Sequence, residues 1–115
     1  YWKNHTDSWP ATGYSSSQTV SSVFGQATLY TAGASSLLSA LGFGGGADLE
    51  GAAEILLRAA TAALLNASHP DVSYPRTPAG VIGDVNTALA SQNRDVMLVL
   101  AASLDADNNL GCPLN

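Results

Sequence analysis

The sequence predicts an all-α fold, a compact bundle of about four helices with an irregular aromatic N-terminal segment. Three observations carry this expectation. Over residues 48–66, Leu49, Ala52, Ala53, Leu56, Leu57, Ala60, Ala63 and Leu64 recur at helical spacing. Each expected helix opens on a capping residue: Ser35 or Ser36, Asp48, Thr77 and Asn93. At 115 residues the chain is a single domain, 1–115. A domain of that size buries about 65% of its unfolded surface, enough for one core without staples.

Residues 1–32 carry turn signals at Trp9-Pro10, Thr12-Gly13 and Ser15–Ser17 and read mostly as loop, with one helical turn near Thr19–Phe24. A short helix is expected near 34–42, ended by Gly42. The FGGGAD stretch reads as a flexible elbow that leads into the helix at 48–66. There Glu50 and Glu54 suit the positive N-terminus, and Glu54 can pair with Arg58 one turn on. Three prolines in HPDVSYPRTP break that helix. Thr77-Pro78 starts the next, over 77–91, with Val81, Ile82, Val85, Ala88 and Leu89 on one face. The last helix, 93–107, contains VMLVLAASL, apolar nearly all round, which places it at the centre of the bundle. A strand fits so short an apolar run, but its length and cap favour a helix.

Composition narrows the function. Apolar residues make up 46% and charged residues only 11%, against a usual ~25%. A poorly charged, Ser/Thr-rich surface points to an extracellular or cell-surface setting. The net charge of −5 argues against nucleic acid, which needs a basic footprint, and against anionic membranes. Arg58 and Asp105 interrupt the best apolar runs, so no membrane span of ~18 residues is expected. The chain opens on Tyr1 and its single Met is Met97, which reads as a piece of a longer product. Cys112 is the single cysteine. It is either a buried, inert thiol or the partner of a cysteine outside this segment.

The opening YWKNHTDSWP places both tryptophans, Trp2 and Trp9, and His5 within nine residues. Tyr1, Trp2, Lys3, Asn4, His5, Trp9 and Pro10 resemble the Gly-(Tyr/Phe)-Trp-Lys-(Asn/Thr)-His-Pro-x-x-Trp-Pro opening of a module in bacterial secreted and cell-surface proteins. LLRAATAALLNAS, YPRTPAGVI and LDADNNLGCPL are similar to later parts of that module, so the resemblance covers nearly the whole chain. Thr6 stands where the pattern has Pro, and its leading Gly is missing. The resemblance implies a surface location and a structural or interaction role. It also implies a cysteine a few residues upstream as the partner of Cys112. It brings no catalytic residues.

Each candidate chemistry has a plainer rival. The aromatic opening can grip glycans, but Trp2 and Trp9 as a plug for the bundle, with Asn4 and His5 bonding irregular backbone, is the favoured reading. His5 beside Asp7 is a weak acid–base pair. Asp105, Asp107 and Asn109, with Gly111, match the first half of a calcium loop whose closing Glu would fall beyond the chain; a helix C-cap explains the same residues. No His or Cys pair has zinc spacing, no Gly-x-Ser-x-Gly elbow occurs, and FGGGAD lacks the Gly-Lys-Ser/Thr of a phosphate loop. Asn4-His5-Thr6 and Asn66-Ala67-Ser68 are N-glycosylation sequons, at Asn4 and Asn66. The expected function is therefore non-enzymatic and needs no cofactor: a subunit or repeat module of a surface filament, fimbria or matrix protein, associating with copies of itself or sister modules. The Gly44–Gly46 elbow and the aromatic segment are its expected contact regions. The alternatives are a glycan-binding adhesin domain that uses the aromatic loop and a small secreted hydrolase.

Overall fold

Short helical turns, not loop, fill the N-terminal third. The computed structural model describes residues 1–110. In it, 3-10 turns run over Trp2–Asn4, Thr6–Thr12, Gly25–Leu29 and Thr31–Ala34. Single α-turns form at α1 (Val20–Val23) and α2 (Leu37–Ala40). The expectation of mostly loop is corrected here for a physical reason. Gly, Pro and Ser/Thr forbid long helices, but bonds from i to i+3 still satisfy the backbone one turn at a time. An isolated antiparallel bridge, Thr19 to Ser36, ties the segment together. Across it, Val20 N–H donates to the Ser35 carbonyl at 2.8 Å and Leu37 N–H to the Gln18 carbonyl at 2.8 Å. Ser36 caps α2 by accepting from Ser39 N–H.

Three long helices follow: α3 (Leu49–Ser68), α4 (Pro78–Ser91) and α5 (Arg94–Asn108). The caps expected from sequence are all formed. Asp48 accepts from Gly51 N–H at 2.7 Å, Thr77 from Gly80 N–H at 3.0 Å and Asn93 from Val96 N–H at 3.1 Å. Gln92 ends α4 in the left-handed conformation, with φ 51°. α3 and α5 run parallel. Arg94, at the start of α5, donates to the carbonyls of Gly46 and Asp48 just before α3. At the far ends, Asn66 donates to Asn108. The tight connection at residues 92–93 sets α4 antiparallel to α5.

α3, not α5, is the central helix. Twelve of the 20 residues of α3 are buried. Of the 15 in α5, only Met97, Ala101 and Leu104 are. α3 packs against α5, α4, α2 and the N-terminal 3-10 turns, and none of its residues is fully exposed. α5 packs chiefly on α3 and α4, and Val96 and Val99 stay in solvent. An all-apolar helix is buried only where other elements cover it.

The expected Glu54–Arg58 pair does not form among the described residues. Arg58 donates instead to the Phe43 carbonyl at 3.1 Å. Glu50 reaches back, and its two carboxylate oxygens accept from Thr31 N–H at 2.9 Å and Ala32 N–H at 3.1 Å. It thereby caps the 3-10 turn at Thr31–Ala34 as a carboxylate at a helix N-terminus does. The glycine elbow is not free either. Gly45 has φ 80°, and Gly51 lets the backbone of Gly46 pack against α3 where any side chain would collide. With Arg58 on Phe43 and Arg94 on Gly46, the elbow is clamped to the bundle.

Candidate functional site

The aromatic opening is a plug. Trp2 and Trp9 are 3% and 2% exposed. Trp9 Nε1–H donates to the Trp2 carbonyl at 3.0 Å, and Trp2 Nε1–H donates to Asn66 Oδ1 at 2.9 Å. Each buried indole thus places its single donor. Beyond Asn66 the bonds continue. Asn66 Nδ2–H donates to Asn108 Oδ1 at 3.2 Å, Tyr74 O–H donates to the same oxygen at 2.7 Å, and Asn108 Nδ2–H donates to the Ala59 carbonyl at 3.1 Å. One polar network therefore joins the N-terminal segment, α3, the 69–77 connection and α5. Burial pushes the Tyr74 hydroxyl up to about 12, with Asp107 and Asp105 adding to the rise and Arg76 opposing it.

The remaining residues of the opening lie at the surface. The Tyr1 ring stacks on His5 at 4.1 Å and its hydroxyl is hydrogen-bonded to Ser8 Oγ at 2.6 Å. His5 Nδ1–H donates to the Tyr1 carbonyl at 2.8 Å. Lys3, Asn4 and Pro10 are exposed. His69 is buried against Trp2, and its Nδ1 accepts from Asp71 N–H at 3.1 Å.

The two sequons separate. Asn4 is exposed, whereas Asn66 is 7% exposed inside α3. The Asn66 carboxamide is engaged inside the fold, bonding Trp2 and Asn108. Of the calcium candidates, Asp105 and Asp107 lie within α5 and Asn109 caps it, with Asn109 N–H bonded to the Asp105 carbonyl and Leu110 N–H to that of Asp107. A helix holds these residues apart around its axis, where a calcium loop would wrap them about an ion. Asp107 accepts from Arg76 Nε–H at 2.6 Å. Among the described residues, no group of three or more acidic, His or Cys side chains is placed to hold a metal. Gly111 and Cys112 lie outside the described residues.

Sequence reasoning missed Asn108, Tyr74 and Arg76. Arg76 bonds Ser103 at 2.7 Å and pairs with Asp107 at 2.6 Å and Asp84 at 3.5 Å, fastening the connection to α4 and α5. Polar residues at a helix end read locally as caps, so nothing in the sequence marks their distant partners.

Two surface features involve α5. On the outer face of α5, Val96 is 44% and Val99 73% exposed, and with Leu100, Asp95 and Ser103 they line a shallow apolar groove. Leu110, beyond the other end of α5, is 71% exposed. A second cleft, about 370 Å³, opens between the N-terminal segment, α3 and α5; Lys3, Arg58 and Asp105 lie along it. No described helix is long and apolar enough to cross a membrane. Comparison with known proteins finds no matching family model, no matching curated protein and no matching solved structure.

Proposed function

We propose that this chain is a non-enzymatic extracellular module that works by assembly, as a subunit or repeat of a surface-displayed filament, fimbria or matrix protein. One observation carries the reading: α5 presents Val96 and Val99 to solvent on the side away from α3 and α4. A helix so little covered by its own domain is a natural seat for a neighbour, and contiguous apolar surface of this kind marks interfaces. The partners are copies of this chain or sister modules. The resemblance of the opening to surface-protein modules supports the location and the repeated arrangement.

The contact region differs from that expected on sequence. The elbow is clamped to α3 and the indoles are buried, so α5 takes the role. The indoles also leave no exposed platform for stacking a sugar, which weighs against the aromatic-loop adhesin. Contact of the α5 face with a different patch builds an open polymer, whereas face-to-face pairing stops at a dimer. A stable junction buries more than ~1,000 Å² in total. Sedimentation across a concentration series tests the reading. Reversible self-association is expected, and Val99→Asp should abolish it without altering the helical signal. A protein that stays monomeric alone and when mixed with tandem copies of itself overturns it.

A further inference from the structure

We propose that the cleft between the N-terminal segment and helices α3 and α5 binds a carboxylate-bearing sugar, a hexuronic acid. This site is separate from the α5 outer face and stands independently of the assembly reading. The cleft holds Lys3 and Arg58, two of only four basic residues in a chain of net charge −5. Both reach the same stretch of backbone, residues 42–43. Lys3 Nζ lies over Gly42, 3.4 Å from where a side chain on that glycine would begin. Arg58 Nη1–H donates to the carbonyl of the next residue, Phe43, at 3.1 Å. Neither cation forms an ion pair among the described residues, whereas Arg76 is paired with Asp84 and Asp107. A guanidinium carries five N–H donors, and a single Arg58 hydrogen bond is formed among the described residues. Two cations lining one cleft, with donors unused among the described residues, are the chemistry that grips a carboxylate by charge-assisted hydrogen bonds.

The rest of the cleft limits what can carry that carboxylate. Asp105 lines the same space and repels a bare anion, but it accepts hydrogen bonds from hydroxyl groups. Leu41, Ala59 and Ala62 supply an apolar floor. A hexuronic acid meets all three demands: its carboxylate faces Lys3 and Arg58, its ring covers the floor, and its hydroxyls donate to Asp105. The volume, about 370 Å³, is at the small end of ligand sites and suits one ring rather than a large ligand.

Titration of the isotope-labelled chain with sodium glucuronate, followed by NMR at the Trp2 indole N–H and the Asn108 side-chain amide, tests the proposal. Saturable shifts are expected in the ~millimolar range, as suits a single small ring. Glucose should leave these signals unmoved, and acetate should bind about tenfold more weakly or worse. Lys3→Gln, an exposed change that leaves the core untouched, should weaken glucuronate binding about tenfold. The absence of saturable glucuronate shifts, equal shifts with glucose or acetate, or unchanged binding in a folded Lys3→Gln variant each overturns the proposal.

Discussion

Helices α3 and α5 run parallel in the same bundle, and both are rich in Ala and Leu, yet one is enclosed and the other half bare. In α3, Leu56, Leu57, Ala60, Ala63, Leu64 and Leu65 are all fully buried. In α5, the apolar run of residues 96–104 buries Met97, Ala101 and Leu104 and leaves Val99 73% exposed. α3 is the more apolar of the two, with three charged residues in 20 against four in 15 for α5, and the cover each receives differs as well. α3 is covered by the 3-10 turns and the Trp2 plug on the side where α5 has no counterpart. The N-terminal segment, locally the least regular part of the chain, decides which helix becomes the core.

The strongest way to break this comparison is to remove the cover. Trp2→Ala should cost ~3–5 kcal/mol in chemical denaturation, because it opens a large cavity and strips Asn66 of its donor. A loss below ~1 kcal/mol would mean that the plug does not enclose α3. Within α3 itself, Leu57→Ala should cost ~2–5 kcal/mol. Next comes the joint between the two helices. Asn108→Ala removes the acceptor of Asn66 and Tyr74 together, and should cost ~1–3 kcal/mol. The matching loss in Asn66→Ala should not add to it in the double variant, since both belong to one network.

Alkaline titration sharpens the same joint. The Tyr74 hydroxyl is raised from 10.0 to about 12, so the folded state favours its neutral form. Its contribution is complete below pH 10, the unfolded value, and is lost as pH rises from there toward about 12. Tyr30, also raised by burial and by Glu50, works in the same direction. Unfolding free energies measured across this range should fall with pH, and Tyr74→Phe should flatten part of the slope. An unchanged slope in that variant would remove Tyr74 from the account. The smallest effect is expected on the bare side of α5. Val99→Ser should change monomer stability by less than ~0.5 kcal/mol. A larger loss at concentrations where the protein is monomeric would show that Val99 supports the fold rather than a neighbour.

Much of the helical framework was legible because its signals are local. A cap needs only a short polar side chain three residues before the N–H that it bonds, and Asp48, Thr77 and Asn93 each satisfy that within one turn. The burial of Trp2 and Trp9 was legible too, since large indoles in a small domain are drawn inward. The polar joint was not. Trp2 and Asn66 are 64 positions apart, and Asn66 and Asn108 are 42 apart, with nothing local to link them. The cleft beside the opening depends on Arg58, which local pairing rules had assigned to Glu54.

The sequence by itself determined where helices start, that they are amphipathic or apolar, and that the tryptophans pack inside. These follow from bonds and periodicities within a few residues. Only the tertiary structure decided that α3 is the axis, that the N-terminal third winds into 3-10 turns, and that Asn66 is a buried hub. The reason is that burial belongs to neighbours: an apolar face lowers the free energy by leaving water, whichever element covers it, and that choice is made by the chain as a whole.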